Sequence, residues 1–287
     1  MRTLGLYDSR KIEPSWSYSA KGVIWQIRPA DGGMLIGEER RVEEKKALFF
    51  CLDSVKGHEF WRIASPGDDW WIGIEAVYKD TVLFHGFAIP NLPLHRGIVA
   101  VDLLAGKTLW EDPALEFSGV GNESVVGRRE TSSGQEIVEL DRRSGELRRY
   151  RQVAEIQALK DEWATPPERN HVNFPLPLER LAIDDPDLAA VVKRYFDLTT
   201  VTGRVEAVEH GRFIIFDYNG PAPRRTAQDP PLYSSTVKVV ERATGSLLYS
   251  DTVCTGAHGV IPELFFVQHD MLYYIKERRT LIAVRLA

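Results

Sequence analysis

Sulfur is scarce in this sequence, with two cysteines and three methionines in 287 residues. Cys51 and Cys254 each sit inside an apolar, strand-like stretch, and no Cys-x-x-Cys pair occurs. A disulfide-stapled secreted scaffold and a cysteine-built metal site are therefore excluded. One long-range disulfide or two buried thiols satisfy what is left, and free thiols in a reducing cytosol are the expectation. Long apolar runs are missing too. None approaches the roughly 18 residues of a membrane-spanning helix, so no membrane partner is expected. The opening residues, Met1 to Arg10, lack an apolar core and a small-residue cleavage site, which speaks against a secretory signal and for the cytoplasm. Charge is nearly balanced: 36 Lys and Arg against 41 Asp and Glu leave −5, which gives nucleic acid no support as a partner.

Compact catalytic signatures are equally absent. The sequence has no Gly-x-Ser-x-Gly elbow and no His-x-x-x-His pair, so neither a serine hydrolase nor zinc is expected. Gly119-Val120-Gly121 follows one strand and precedes another, the wrong setting for a dinucleotide loop. No cofactor and no metal are expected.

What the sequence does contain is a repeat. An apolar strand, an acidic residue, a polar turn, a glycine and then an aromatic recur around Asp53-Gly57-Trp61 and Asp102-Gly106-Trp110. Weaker copies follow at Asp141-Gly145, with Tyr150 one residue late, and at Glu241-Gly245-Tyr249. The acidic side chain accepts backbone N–H groups in the turn, glycine takes the positive φ, and the aromatic lies on the returning strand. Each copy thus reads as a hairpin joining the last two strands of a small antiparallel sheet. The glycines stand 49, 39 and 100 residues apart. Repeats of about 40 to 50 residues built of short strands are the mark of propeller blades.

Further strands fit this scheme: 23–27 and 34–38, 71–77 and 81–87, 115–120 and 124–129, 205–208 and 213–218. The C-terminal stretches 264–267, 271–275 and 282–286 form a blade without its outer strand, and the orphan strand 12–18, with Trp16, is expected to supply it. Prolines 166, 167, 175 and 177 break strands in the long gap, and Asp185-Pro186 opens a helical pattern through Leu188, Val191, Val192, Tyr195 and Phe196. The expected fold is all-β: one domain over 1–287, a five-bladed β-propeller closed by its N-terminal strand, with a one-helix insertion near 155–200. A sixth blade in that gap is the alternative.

The hairpins at 49–61 and 98–110 resemble the repeats of quinoprotein (PQQ-like) β-propellers, whose blades end in Asp-x-x-x-Gly-x-x-x-Trp. The resemblance carries scaffold residues only, because no positions match the cofactor and calcium ligands of those dehydrogenases. Ile36-Gly37-Glu38-Glu39-Arg40, Trp70 to Glu75 and His85-Gly86-Phe87-Ala88 also resemble a family of uncharacterised bacterial proteins, a domain of unknown function.

Candidate site residues fall into two groups. Glu75, Glu206 and Glu263 occupy matching places on innermost strands, with Asp217 nearby, and could hold a ligand or merely cap backbone N–H groups. Trp71, Glu75, His85 and His95 bracket a long proline-broken loop at 87–95, a length that calls for a reason. Their aromatic and imidazole groups suit a sugar or a flat ligand. The basic run at 148–151, with Arg142 and Arg143, reads as a solvated edge. The expected function is a non-catalytic scaffold that binds a small molecule or protein. The alternative is a glycoside hydrolase working through carboxylates in the central funnel.

Overall fold

The acidic turn closes four hairpins in the computed structural model, which describes residues 11–89, 92, 94–132, 134–152, 155, 172–197, 199–223, 230–259 and 264–286. In three of them Oδ1 of the aspartate accepts two backbone N–H bonds at 2.7–3.0 Å: Asp53 from Val55 and Lys56, Asp102 from Leu104 and Ala105, Asp141 from Arg143 and Ser144. The glycine N–H then donates to the carbonyl of the acidic residue, and so does Gly245 to Glu241. All four glycines hold φ between 64° and 71°, a region that a Cβ disfavours.

Two compact units contain these hairpins, Ala20–Asn170 and Met1–Ser19 together with His171–Ala287. The first strand, β1 (Pro14–Ser19), belongs to the second of these. The unit Ala20–Asn170 consists of three antiparallel meanders. They are β2 (Val23–Ala30) to β5 (Glu59–Ala64) through β3 (Met34–Arg41) and β4 (Lys46–Asp53); β6 (Ile72–Tyr78) to β9 (Thr108–Asp112) through β7 (Thr81–Phe87) and β8 (His95–Asp102); and β10 (Glu116–Val120) to β13 (Leu147–Arg151) through β11 (Ser124–Thr131) and β12 (Gly134–Asp141).

The other unit carries two five-stranded sheets. Its elements are β14 (Val172–Asn173), β15 (Leu176–Pro177), helices α1 (Leu178–Asp184) and α2 (Pro186–Val192), β16 (Thr202–His210), β17 (Phe213–Pro221), β18 (Tyr233–Glu241), β19 (Leu247–Ala257), β20 (Phe265–Gln268), β21 (Met271–Lys276) and β22 (Thr280–Arg285). One sheet runs β15 to β19 in order; the other runs β1-β22-β21-β20-β14. The N-terminal strand does supply the outer strand of the last sheet, with Trp16 opposite Ala283 and Ser17 opposite Ile282.

The insertion differs from expectation. Asp185 caps α2 as its sequence indicates, accepting Leu188 N–H at 2.9 Å with Pro186 at the first helical position. A second helix, α1, precedes it directly, so the described part holds two short helices instead of one. Pro177 ends a two-residue strand at the edge of the sheet, where its missing N–H interrupts no ladder, and its fixed φ leads into α1. The remaining strands of this gap, β14 and β15, extend the edges of the two sheets.

Aromatic residues dock one sheet on the next within each unit. Trp61 on β5 donates its indole N–H to the Leu103 carbonyl at 2.8 Å, and a Cβ on Gly106 would sit 2.8 Å from the indole ring. Trp110 on β9 repeats the arrangement, donating to Arg142 O at 2.9 Å over Gly145. In the other unit Tyr195 donates to the Gly245 carbonyl. There Tyr249 hydrogen-bonds Tyr274 at 2.6 Å, and Tyr274 in turn donates to Asp251 at 2.7 Å. Apolar cores fill the spaces between these docked sheets. Arg142 is not on a solvated edge: it is buried and bonds Tyr78 O, Asp80 and Thr81 of the neighbouring sheet. Cys51 and Cys254 are both free and buried, and burial pushes the Cys51 thiol up to about 12.

The docking predicts a specific non-additivity. Gly106→Ala forces a strained φ and a collision with Trp61, and should destabilise by about 1–3 kcal/mol. In a Trp61→Ala background the collision is gone, so the penalty should fall by at least about 0.5 kcal/mol. Chemical denaturation of the four proteins measures this, and additive penalties would contradict the docking.

Candidate functional site

A cluster of two imidazoles and a carboxylate forms at the end of the β6-β7-β8 meander that carries the 88–94 connection. Two irregularities in the ladders create it. Ile74 pairs with Phe84 and Ala76 with Leu83, which leaves Glu75 as the extra residue of a bulge. On the other side of β7, His85 pairs with Ile98 and Gly86 with Arg96, so Gly97 is extra, with a φ of 83°. That second bulge sets His95 opposite Phe87 instead of Ala88, on the same face as His85. Gly73 makes the remaining room, since a Cβ there would lie 3.0 Å from Nε2 of His85.

The resulting geometry is tight. The imidazoles of His85 and His95 stack at 3.4 Å between centroids and 7° between planes. Nδ1 of His95 hydrogen-bonds Oε2 of Glu75 at 2.9 Å. Nδ1 of His85 lies 3.0 Å from the same oxygen but at an angle that makes no hydrogen bond, so this buried nitrogen meets the carboxylate only as an ion-pair contact. Burial pushes the Glu75 carboxyl up, but the two imidazoles outweigh it and hold the group below its usual range. Phe87 meets both imidazoles edge-on, at 5.1 and 5.3 Å, and Trp71 meets Phe87 at 5.9 Å. The side chain of His85 is 9% exposed, that of Glu75 17% and that of His95 40%, so the cluster opens to solvent on the His95 side. One ligand atom from each of the three residues lies within 4.8 Å of the others, an arrangement that suits a metal ion.

Four of the sequence candidates therefore belong together: Glu75, His85 and His95 in direct contact, with Trp71 behind Phe87. Glu206 and Asp217 form a second pair, directly opposite each other on β16 and β17 in the other unit. Asp217 is 1% exposed and its Oδ1 is unsatisfied; burial and then the neighbouring Glu206 charge push its carboxyl well above the ordinary range. Glu263 lies outside the described residues. Sequence reading passed over Glu38, which is buried beside the cluster and accepts from Gln26 at 2.8 Å, Ile74 N–H at 3.3 Å and Arg40. The alternation of strand β3 hides it, because both Glu38 and Glu39 are buried there.

Asp217 yields a pH test. Its raised native value means that the native state favours the protonated form, so its stabilising contribution is present below the unfolded value near 4 and is lost as pH rises through the native one. Asp217→Asn should melt higher than wild type at pH 8 by at least about 2 °C, roughly 1 kcal/mol for a chain of this size. The gap should close toward pH 4. Calorimetry across that range checks it, and a variant less stable at pH 8 would show that the carboxylate itself is needed.

No curated protein matches the sequence. Among solved structures, the β-propeller domain of the Trilobed protease from Pyrococcus furiosus is 12% identical with a TM-score of 0.31, over 91% of this chain and 65% of that one. A quinohemoprotein alcohol dehydrogenase from Pseudomonas putida HK5 is 11% identical with a TM-score of 0.28, over 91% and 59%. An acylaminoacyl peptidase from Pyrococcus horikoshii is 10% identical with a TM-score of 0.29, over 89% and 36%. The chain spans less than two thirds of the length of these structures, and similarity this low carries no activity across. Residues 29–110, the segment that contains Glu75, His85 and His95, match the family described as domain of unknown function (DUF4905), in keeping with the resemblance read from the sequence.

Proposed function

We propose that the five sheets are the blades of one closed propeller, zipped by β1 on β22, and that the protein is a cytoplasmic binding scaffold that grips a small polar ligand at Glu75, His85 and His95. The convergence of these three side chains, one of them a buried imidazole with a nitrogen that makes no hydrogen bond, carries the reading. The chain-order meanders of four sheets and the β1–β22 pairing that completes the fifth support the ring. Two free thiols suit a reducing compartment.

Binding is favoured over hydrolysis by the state of the carboxyls. A glycosidase acid must be protonated near neutrality and must reach the glycosidic oxygen. Glu75 faces a solvent-open site but is held ionised by its imidazoles. Asp217 favours the protonated state, yet it is buried beneath the surface where no substrate oxygen reaches it. Neither group combines the two requirements.

Ring-nitrogen NMR of His85 and His95 tests this reading. Sugars, nucleotides, small carboxylates and divalent metal salts are added in turn, and chromogenic glycosides are incubated with the protein in parallel. At least one class should shift both imidazoles saturably, with no chromophore released. Imidazoles that no compound moves, or a chromophore release that Glu75→Gln abolishes, would overturn it.

A further inference from the structure

Resting on that reading of the site, we infer that its resident ligand is a divalent transition-metal ion of the zinc class, held by Oε2 of Glu75 and the Nδ1 atoms of His85 and His95. The donor set is two neutral nitrogens and one carboxylate oxygen. Imidazole suits zinc, copper, nickel and iron, whereas calcium takes six to eight oxygens and magnesium keeps a nearly all-oxygen shell.

The distances fit with a small adjustment. Tetrahedral ligands about 2.1 Å from an ion lie about 3.4 Å from one another. The Glu75 oxygen is 2.9 Å from Nδ1 of His95 and 3.0 Å from Nδ1 of His85, so the ion needs an opening of a few tenths of an ångström together with rotation of one ring out of the stack. His95 is the most exposed of the three, so it is the ring that turns and its side provides the entry path. Three protein ligands then leave a fourth position toward solvent.

A buried nitrogen without a hydrogen bond is the independent observation. Without an ion, one oxygen faces two ring nitrogens and satisfies only the one on His95, which leaves Nδ1 of His85 buried and without a hydrogen bond. Leaving such an atom without a hydrogen bond is costly. The two rings stack in parallel planes, so their in-plane lone pairs do not yet converge; a cation serves all three donors once the exposed His95 ring turns out of the stack. The fold spends two bulges and Gly73 on producing this arrangement.

Titration of the full chain with Co(II) and Zn(II) tests the inference. One equivalent of Co(II) should give the visible bands of a four-coordinate ion, Zn(II) should displace it, and the ring resonances of His85 and His95 should broaden in step. Binding should weaken by at least about tenfold in Glu75→Gln and again in His95→Ala, both at solvent-accessible positions. Absence of stoichiometric binding, or binding that neither substitution weakens, overturns the inference. If metal salts leave both imidazoles unmoved while an organic ligand shifts them, the metal assignment falls and the binding-site reading stands; if nothing moves them, both fall.

Discussion

The structure depends on an aromatic ring laid over a glycine turn. A four-stranded antiparallel sheet of this size cannot bury its faces alone, so each one is stable only against a neighbour. Trp61 and Trp110 make that attachment specific: the ring covers a turn where a side chain would collide, and the indole N–H finds the carbonyl just after the aspartate. The aspartate organises the same turn from inside by accepting two of its N–H groups. Three residue types at fixed spacing thus close a hairpin and position the sheet before it. Where the tryptophan is replaced, as in the unit with the insertion, Tyr195 and Tyr249 attach the elements through hydroxyl groups.

Regularity builds the scaffold, and departures from it build the site. The β6–β7 ladder breaks at Glu75 and the β7–β8 ladder near Gly97, and these breaks bring a carboxylate and a histidine to His85. A polar cluster of this kind in the flank of a sheet is held by the apolar pairs around it, Ile74 with Phe84 and Phe84 with Val99. Buried Glu38 and half-buried Arg40 lock the first two sheets of this unit together beside the cluster, since Arg40 donates to the carbonyls of Trp70 and Ile72 at the entry to β6. Both imidazoles therefore stand on paired strand residues, His85 buried in place and His95 free to turn at the exposed side.

Much of this was legible in the sequence because the signals are local. An apolar strand followed by Asp-x-x-x-Gly and an aromatic reads as a hairpin, so those at Gly57, Gly106 and Gly145, and the one at Gly245 where Glu241 takes the acidic place, follow from the spacing together with the strands flanking them. The N-terminal strand followed from counting, since the last sheet lacked a partner for β22. Helix α2 announced itself through Asp185-Pro186, whereas α1 did not, because Pro177 reads as a strand breaker and only the sheet edge shows it as a helix entry. The metal-binding potential of Glu75, His85 and His95 was hidden for a similar reason. Spacing rules for histidine ligands assume a helix, while His85 and His95, ten residues apart, meet through hairpin register and a bulge that one glycine permits. Arg142 was misread because its burial is decided by Asp80 and Thr81 of another sheet.

The account turns on whether three side chains from adjacent strands share one ion. Crystals of the full chain grown with zinc chloride, with anomalous data collected on either side of the zinc absorption edge, answer that most directly. The account predicts one strong anomalous peak about 2.0–2.2 Å from Oε2 of Glu75 and from a ring nitrogen of both His85 and His95. A map that is flat there while the three side chains are well ordered would contradict it.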